Sequence, residues 1–162
     1  METTNNLPSL FRSLRTSCHS PLISTAELER LILHDKALEN DTKGYRETIN
    51  IDRNEARNKK RKLPAICPSI QFRRTGRKLE DFGCATGWLM LDYDHVAEIG
   101  LDEKVELASK SPYSMVVYRT ISGKGLRILL RYERPKGCTL TITELHRLAV
   151  DKAISIYDDL LH

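Results

Sequence analysis

The run Gly87-Trp-Leu-Met-Leu-Asp-Tyr-Asp94 constrains this chain more than any other. Strand side chains alternate between two faces, and here both faces are apolar until the acidic end. Such a strand needs cover on both sides, which places it inside a sheet with other layers packed against it. At 162 residues and 40% hydrophobic content, the chain has enough material for that core.

The neighbouring segments supply the layers. Tyr113 to Thr120 and Leu126 to Glu133 are strand-like, and the short link Ile121-Ser-Gly-Lys-Gly125 predicts a hairpin. Leu101 to Lys110 has helical spacing and is stopped by Ser111-Pro112. After a turn at Pro135 to Cys138, Thr141-Ile-Thr-Glu144 opens a long helix that runs toward the end of the chain. Upstream, Ser24-Thr-Ala-Glu27 is a capping box, and Leu28, Leu31, Ile32 and Leu38 predict a helix to about Asn40, broken by Asp41 to Gly44. Residues 45–60 are polar and helix-compatible, and Pro64 ends them. Ala65 to Phe72 reads as a strand with an edge or bulge at Pro68, and Arg73 to Thr86 as a loop. The expectation is an irregular segment or short strand over 1–22, then a single domain over 23–162. Its class is α+β, a mainly antiparallel sheet with helices packed on it.

Charge is unevenly spread. Residues 43–78 hold 12 basic and 3 acidic side chains, whereas the whole chain has a net charge of only +4. The densest stretch supplies Lys59, Lys60, Arg61 and Lys62, followed by Arg73, Arg74, Arg77 and Lys78. Such a cluster is the expected footprint of phosphate-backbone binding. No aromatic residue interrupts the 58–63 run, so base stacking is not expected there. Cys18, Cys67, Cys84 and Cys138 are too scattered for a zinc clip and read as reduced thiols of a cytoplasmic protein. No apolar run is long enough to span a bilayer, and the first residues do not resemble a secretory signal.

Two motifs point to chemistry. Asp92 and Asp94 lie two apart on a strand and so share a face, and paired carboxylates suit a hard cation such as Mg²⁺ or Mn²⁺. His95 follows them as a polar residue at the strand end. In Ser122-Gly-Lys-Gly125-Leu-Arg127, two glycines let backbone amides approach an anion, with Ser122, Lys124 and Arg127 as further donors. Metal from one motif and triphosphate from the other would suit phosphoryl transfer. The five histidines do not form the paired ligands of a rolling-circle-type nuclease.

Lys62-Leu-Pro-Ala-Ile66, Thr86 to Asp94 and Ser122 to Leu126, in this order and spacing, resemble the N-terminal domain of VirE-type (virulence-associated protein E) proteins of mobile elements. That family is similar to the archaeo-eukaryotic primase, or primase-polymerase, superfamily. The resemblance implies an RRM-like core, with Asp92 and Asp94 as catalytic metal ligands. It implies that Ser122, Gly123, Lys124, Gly125 and Arg127 hold a nucleoside triphosphate. Arg127 or Lys124 stands where many primases have histidine, and no third carboxylate is visible, which implies a core truncated after its last helix. The expected function is DNA and metal-nucleotide binding in mobile-element or phage replication. The alternatives are an inactive module that binds DNA or RNA, or an adaptor for a helicase-like partner. No membrane partner is expected.

Overall fold

The computed structural model describes residues 6–16, 19–21, 24–73, 76–94, 96 and 100–161. The fold is α+β, with antiparallel pairing throughout the described sheets. The chain divides into two compact units. The first comprises residues 1–86 and 121–123, and the second residues 87–120 and 124–162.

The first unit begins with β1 (Ser9–Phe11) and β2 (His19–Pro21), followed by the helices α1 (Thr25–His34), α2 (Lys36–Thr48) and α3 (Arg53–Lys62). It ends with β3 (Ala65–Cys67), β4 (Ile70–Phe72) and β5 (Phe82–Ala85). One sheet has the order β2-β1-β3 and a second pairs β4 with β5. The buried Ser9 hydroxyl accepts from the Phe72 backbone N–H at 3.0 Å, tying β4 to β1.

Ser24 caps α1 as its motif predicts, accepting from Glu27 N–H at 3.3 Å. The helix does not continue to Asn40, because Asp35 leaves the helical conformation and caps α2 by accepting from Leu38 N–H at 2.9 Å. Nor does Asp41 to Gly44 break anything, since α2 runs through it. The single strand expected over 65–72 splits at Pro68-Ser69 into β3 and β4, which pair in different sheets. The loop expected over 73–86 contains β5. Gly83 hides that strand from a sequence reading, yet a Cβ there would lie 2.3 Å from the Gln71 carbonyl oxygen across the ladder.

The second unit holds β6 (Trp88–Tyr93), α4 (Leu101–Lys110), β7 (Ser114–Arg119), β8 (Leu126–Arg131) and α5 (Ile142–Leu161). Its sheet has the order β6-β8-β7, and the predicted hairpin is β7–β8. Leu89 and Leu91 from β6 and Leu126, Ile128 and Leu130 from β8 share one face, packed with Leu101 and Ala108 of α4 and Ala153, Tyr157 and Leu161 of α5. Burying each such leucine stabilises by about 2 kcal/mol. The Tyr157 hydroxyl lies 2.6 Å from Ser114 Oγ and 3.0 Å from Ser111 Oγ, which fixes α5 against β7. A reciprocal box starts α5: Glu144 N–H donates to Thr141 Oγ1 at 3.3 Å, and Thr141 N–H donates to the Glu144 carboxylate at 2.7 Å. No helix of the described residues is long and apolar enough to cross a membrane.

Candidate nucleic-acid interface and the acidic strand end

Helix α3 is built to expose charge. Asp52 caps it by accepting from Asn54 and Glu55 N–H at 2.8 and 3.1 Å. Its anchors are few: Ala56 is fully buried, and Leu63, the extended residue that ends it before Pro64, is buried at 7% exposure. Lys59 is half-buried and donates from Nζ to the Gly44 carbonyl at 3.3 Å. Arg53, Asn54, Glu55, Arg57, Asn58, Lys60, Arg61 and Lys62 are all exposed.

The last-turn cations suit the negative end of the helix dipole. That does not account for Arg53 and Arg57, which line up with Arg61 at four-residue spacing. Like charges so placed repel by about 0.2–0.5 kcal/mol per pair. Glu55 is the one carboxylate in the helix, and Arg53, Arg57, Lys60, Arg61 and Lys62 form no ion pair with the described residues. Sequence reasoning singled out Lys59 to Lys62 but missed Arg53 and Arg57, although their spacing from Arg61 was there to be read.

The second basic stretch behaves differently. Arg73 is exposed, and Arg74 lies outside the described residues. The Arg77 guanidinium sits 5.0 Å from the centre of the Phe11 ring and donates to the Leu14 carbonyl at 2.9 Å. Lys78 pairs with Glu80 at 3.7 Å, and its backbone N–H donates to Asp81. Arg77 thus pins the chain to β1, and the charge of Lys78 is met locally.

In the second unit, Asp92 lies directly opposite Arg127 in the β6–β8 ladder. Arg127 donates from Nε and Nη2 to the two Asp92 carboxylate oxygens at 3.1 and 2.8 Å, a fork-to-fork pair. Both side chains are about one-third exposed, at 34% and 31%. Tyr118 faces Arg127 from β7, and burial pushes its phenol up from the ordinary value, so it stays neutral at physiological pH. Asp94 is an exposed turn residue beyond the end of β6, and His95 lies outside the described residues.

The glycine motif is divided. Ser122 and Gly123 belong to the first unit, where Arg46 donates to the Ile121 carbonyl at 2.9 Å and Gly123 takes a left-handed φ of 74°. Lys124 is exposed and, with Gly125 and Arg127, belongs to the second unit. A Cβ on Gly125 would lie 2.2 Å from the Tyr93 carbonyl oxygen, so close strand approach by itself demands glycine there. The two motifs do meet, but at a closed ion pair between Asp92 and Arg127. Both Asp92 oxygens accept from Arg127, while Asp94 stands apart in the turn beyond the strand end. Among the described residues, no group of three or more His, Cys, Asp or Glu side chains could hold a metal ion.

Residues 58–162 match the family model described as BT4734-like, N-terminal domain. This corrects the VirE-type resemblance, since the matching family is a different one, and no match supports the primase relationship attached to it. No curated protein and no solved structure matches the chain.

Proposed function

Since this chain belongs to the BT4734-like N-terminal domain family, we propose that it is a nucleic-acid-binding module that grips the phosphate backbone through α3. The carrying observation is the exposed set Arg53, Arg57, Lys60, Arg61 and Lys62, which form no ion pair with the described residues, on a helix with one carboxylate. A polyanion supplies the counter-charge that the helix itself lacks. The imbalance is also regional: residues 1–86 hold 16 basic and 11 acidic side chains, and residues 87–162 hold 10 and 11. The free thiols Cys67, Cys84 and Cys138 suit a reducing, cytoplasmic setting.

The test is anisotropy of a labelled 24-base-pair DNA duplex titrated at several salt concentrations. Phosphate contacts from Arg53, Arg57, Lys60 and Lys62 give a log–log salt slope of about −3.6. Replacing Arg57, Lys60 and Lys62 with Ala should bring the slope to about −1 and weaken binding at least ~10²-fold at 0.1 M salt. An unchanged slope in that variant, with circular dichroism intact, rejects the α3 interface. Salt-insensitive or absent binding favours an adaptor role instead. A parallel calorimetric titration with Mn²⁺ and dATP addresses the acidic motif. The expected trace shows no saturable heat. Saturable binding that Asp92→Ala/Asp94→Ala removes would reinstate a metal-nucleotide site.

A further inference from the structure

The distribution of side chains around α3 goes beyond charge, and we infer that this helix lies in the major groove of B-form duplex DNA, with Asn54, Asn58 and Arg61 toward the base edges. The inference rests on the nucleic-acid reading above and names its substrate class. Three observations carry it.

The first is exposure. Eight of the ten residues of α3 are exposed, and Ala56 and Lys59 mark its attached side. More than half of the helix circumference is therefore open to a partner. A helix about 10–12 Å across fits a groove ~12 Å wide.

The second is the order of side chains across the open arc. At 3.6 residues per turn, Arg53, Arg57 and Lys60 fall along one border, and Lys62 falls on the other together with Glu55, which stands in the first turn. Asn54 and Asn58 are four apart and occupy the middle, beside Arg61. The cationic border faces one phosphate ridge of a groove, and Lys62, at the C-terminal end of the helix, faces the other. Carboxamide and guanidinium groups in the middle match the donor and acceptor patterns of base edges. Arg15 donates to Asn58 Oδ1 at 3.3 Å, which orients that carboxamide and leaves its NH₂ donors for a partner.

The third is what the first unit does not expose. Among its described residues the exposed large apolar side chains are Leu14, Leu33, Ile51 and Leu79. Single strands are held by stacking on aromatic rings, and no Phe, Tyr or Trp among those described residues is exposed for the purpose. The deep, narrow major groove of A-form RNA does not admit a helix.

The experiment compares the full chain against four 24-mers of one sequence: a DNA duplex, its single strand, the RNA duplex, and a DNA duplex with glucosylated hydroxymethylcytosines filling the major groove. The plain duplex should bind about ten-fold or more tightly than the other three. Asn54→Ala/Asn58→Ala should narrow the spread of affinities across duplexes of different sequence and leave the salt slope unchanged. Equal binding to the glucosylated duplex, or tighter binding to the single strand, overturns groove insertion while backbone binding stands. An unchanged spread in the double variant overturns the roles of Asn54 and Asn58. No binding to any of the four, with the protein folded, removes both proposals.

Discussion

Helix α3 and the β6–β8 pair carry the same chemistry and use it in opposite ways. On α3, five cations stand exposed and form no ion pair with the described residues. At the strand end, Arg127 is locked onto Asp92 by two hydrogen bonds. The loop after β4 falls between them, with Arg77 against Phe11 and Lys78 against Glu80. Charge density along a sequence therefore says little about availability. Charges that find a partner within the fold shape the protein, and those that find none are left for something else to meet.

Three perturbations test this contrast. The largest effect is expected from Gly125→Ala, which forces a Cβ onto the Tyr93 carbonyl and disturbs the register that sets Asp92 opposite Arg127. Denaturant unfolding should show a loss of about 1–3 kcal/mol. An unchanged midpoint would mean that the ladder tolerates a shift and that the pair is not register-locked.

Next comes a crossed comparison of Arg127→Ala and Arg57→Ala. The first removes a partly exposed ion pair and should lower stability by about 1 kcal/mol while leaving DNA affinity unchanged. The second should weaken DNA binding and leave stability within about 0.5 kcal/mol. If both move stability alone, α3 is only a solvated face and the contrast dissolves.

The smallest effect concerns His146, whose Nδ1 lies 2.9 Å from the Tyr132 hydroxyl. Burial holds its pKa below the ordinary 6.5, so the unfolded chain takes up the proton first as pH falls. Its stabilising contribution is complete above about pH 6.5 and is lost as pH drops through the folded value. Unfolding midpoints between pH 7 and pH 5 should decline in the wild type and flatten in His146→Gln. Identical slopes would assign the decline to other groups.

Much of the fold is legible because periodicity is local. The apolar strand at 88–93, the hairpin around Gly123 and Gly125, α4 and α5 all follow from short-range pattern. Asp35 misleads because a surface carboxylate inside a helix and a cap between two helices look alike until the backbone turns. Gly83 misleads in the reverse sense, since a residue that disfavours strands is required by the approach of Gln71. The site is less legible still. That α3 is basic is plain from its letters, whereas the burial of Ala56 that turns its charges outward is tertiary. The spacing of Asp92 and Asp94 is visible in one dimension, but the pairing of Asp92 with Arg127 depends on register across 35 residues.

The make-up of the first unit bears on how the protein is synthesised. Residues 121–123 belong to it, although 34 residues of the second unit are translated before them. Made at about 5–20 residues per second, the chain reaches Ile121 a few seconds after Thr86. During that interval Arg46 lacks the Ile121 carbonyl that it binds in the finished fold. The basic helix therefore emerges from the ribosome, itself rich in nucleic acid, before the unit that displays it is complete.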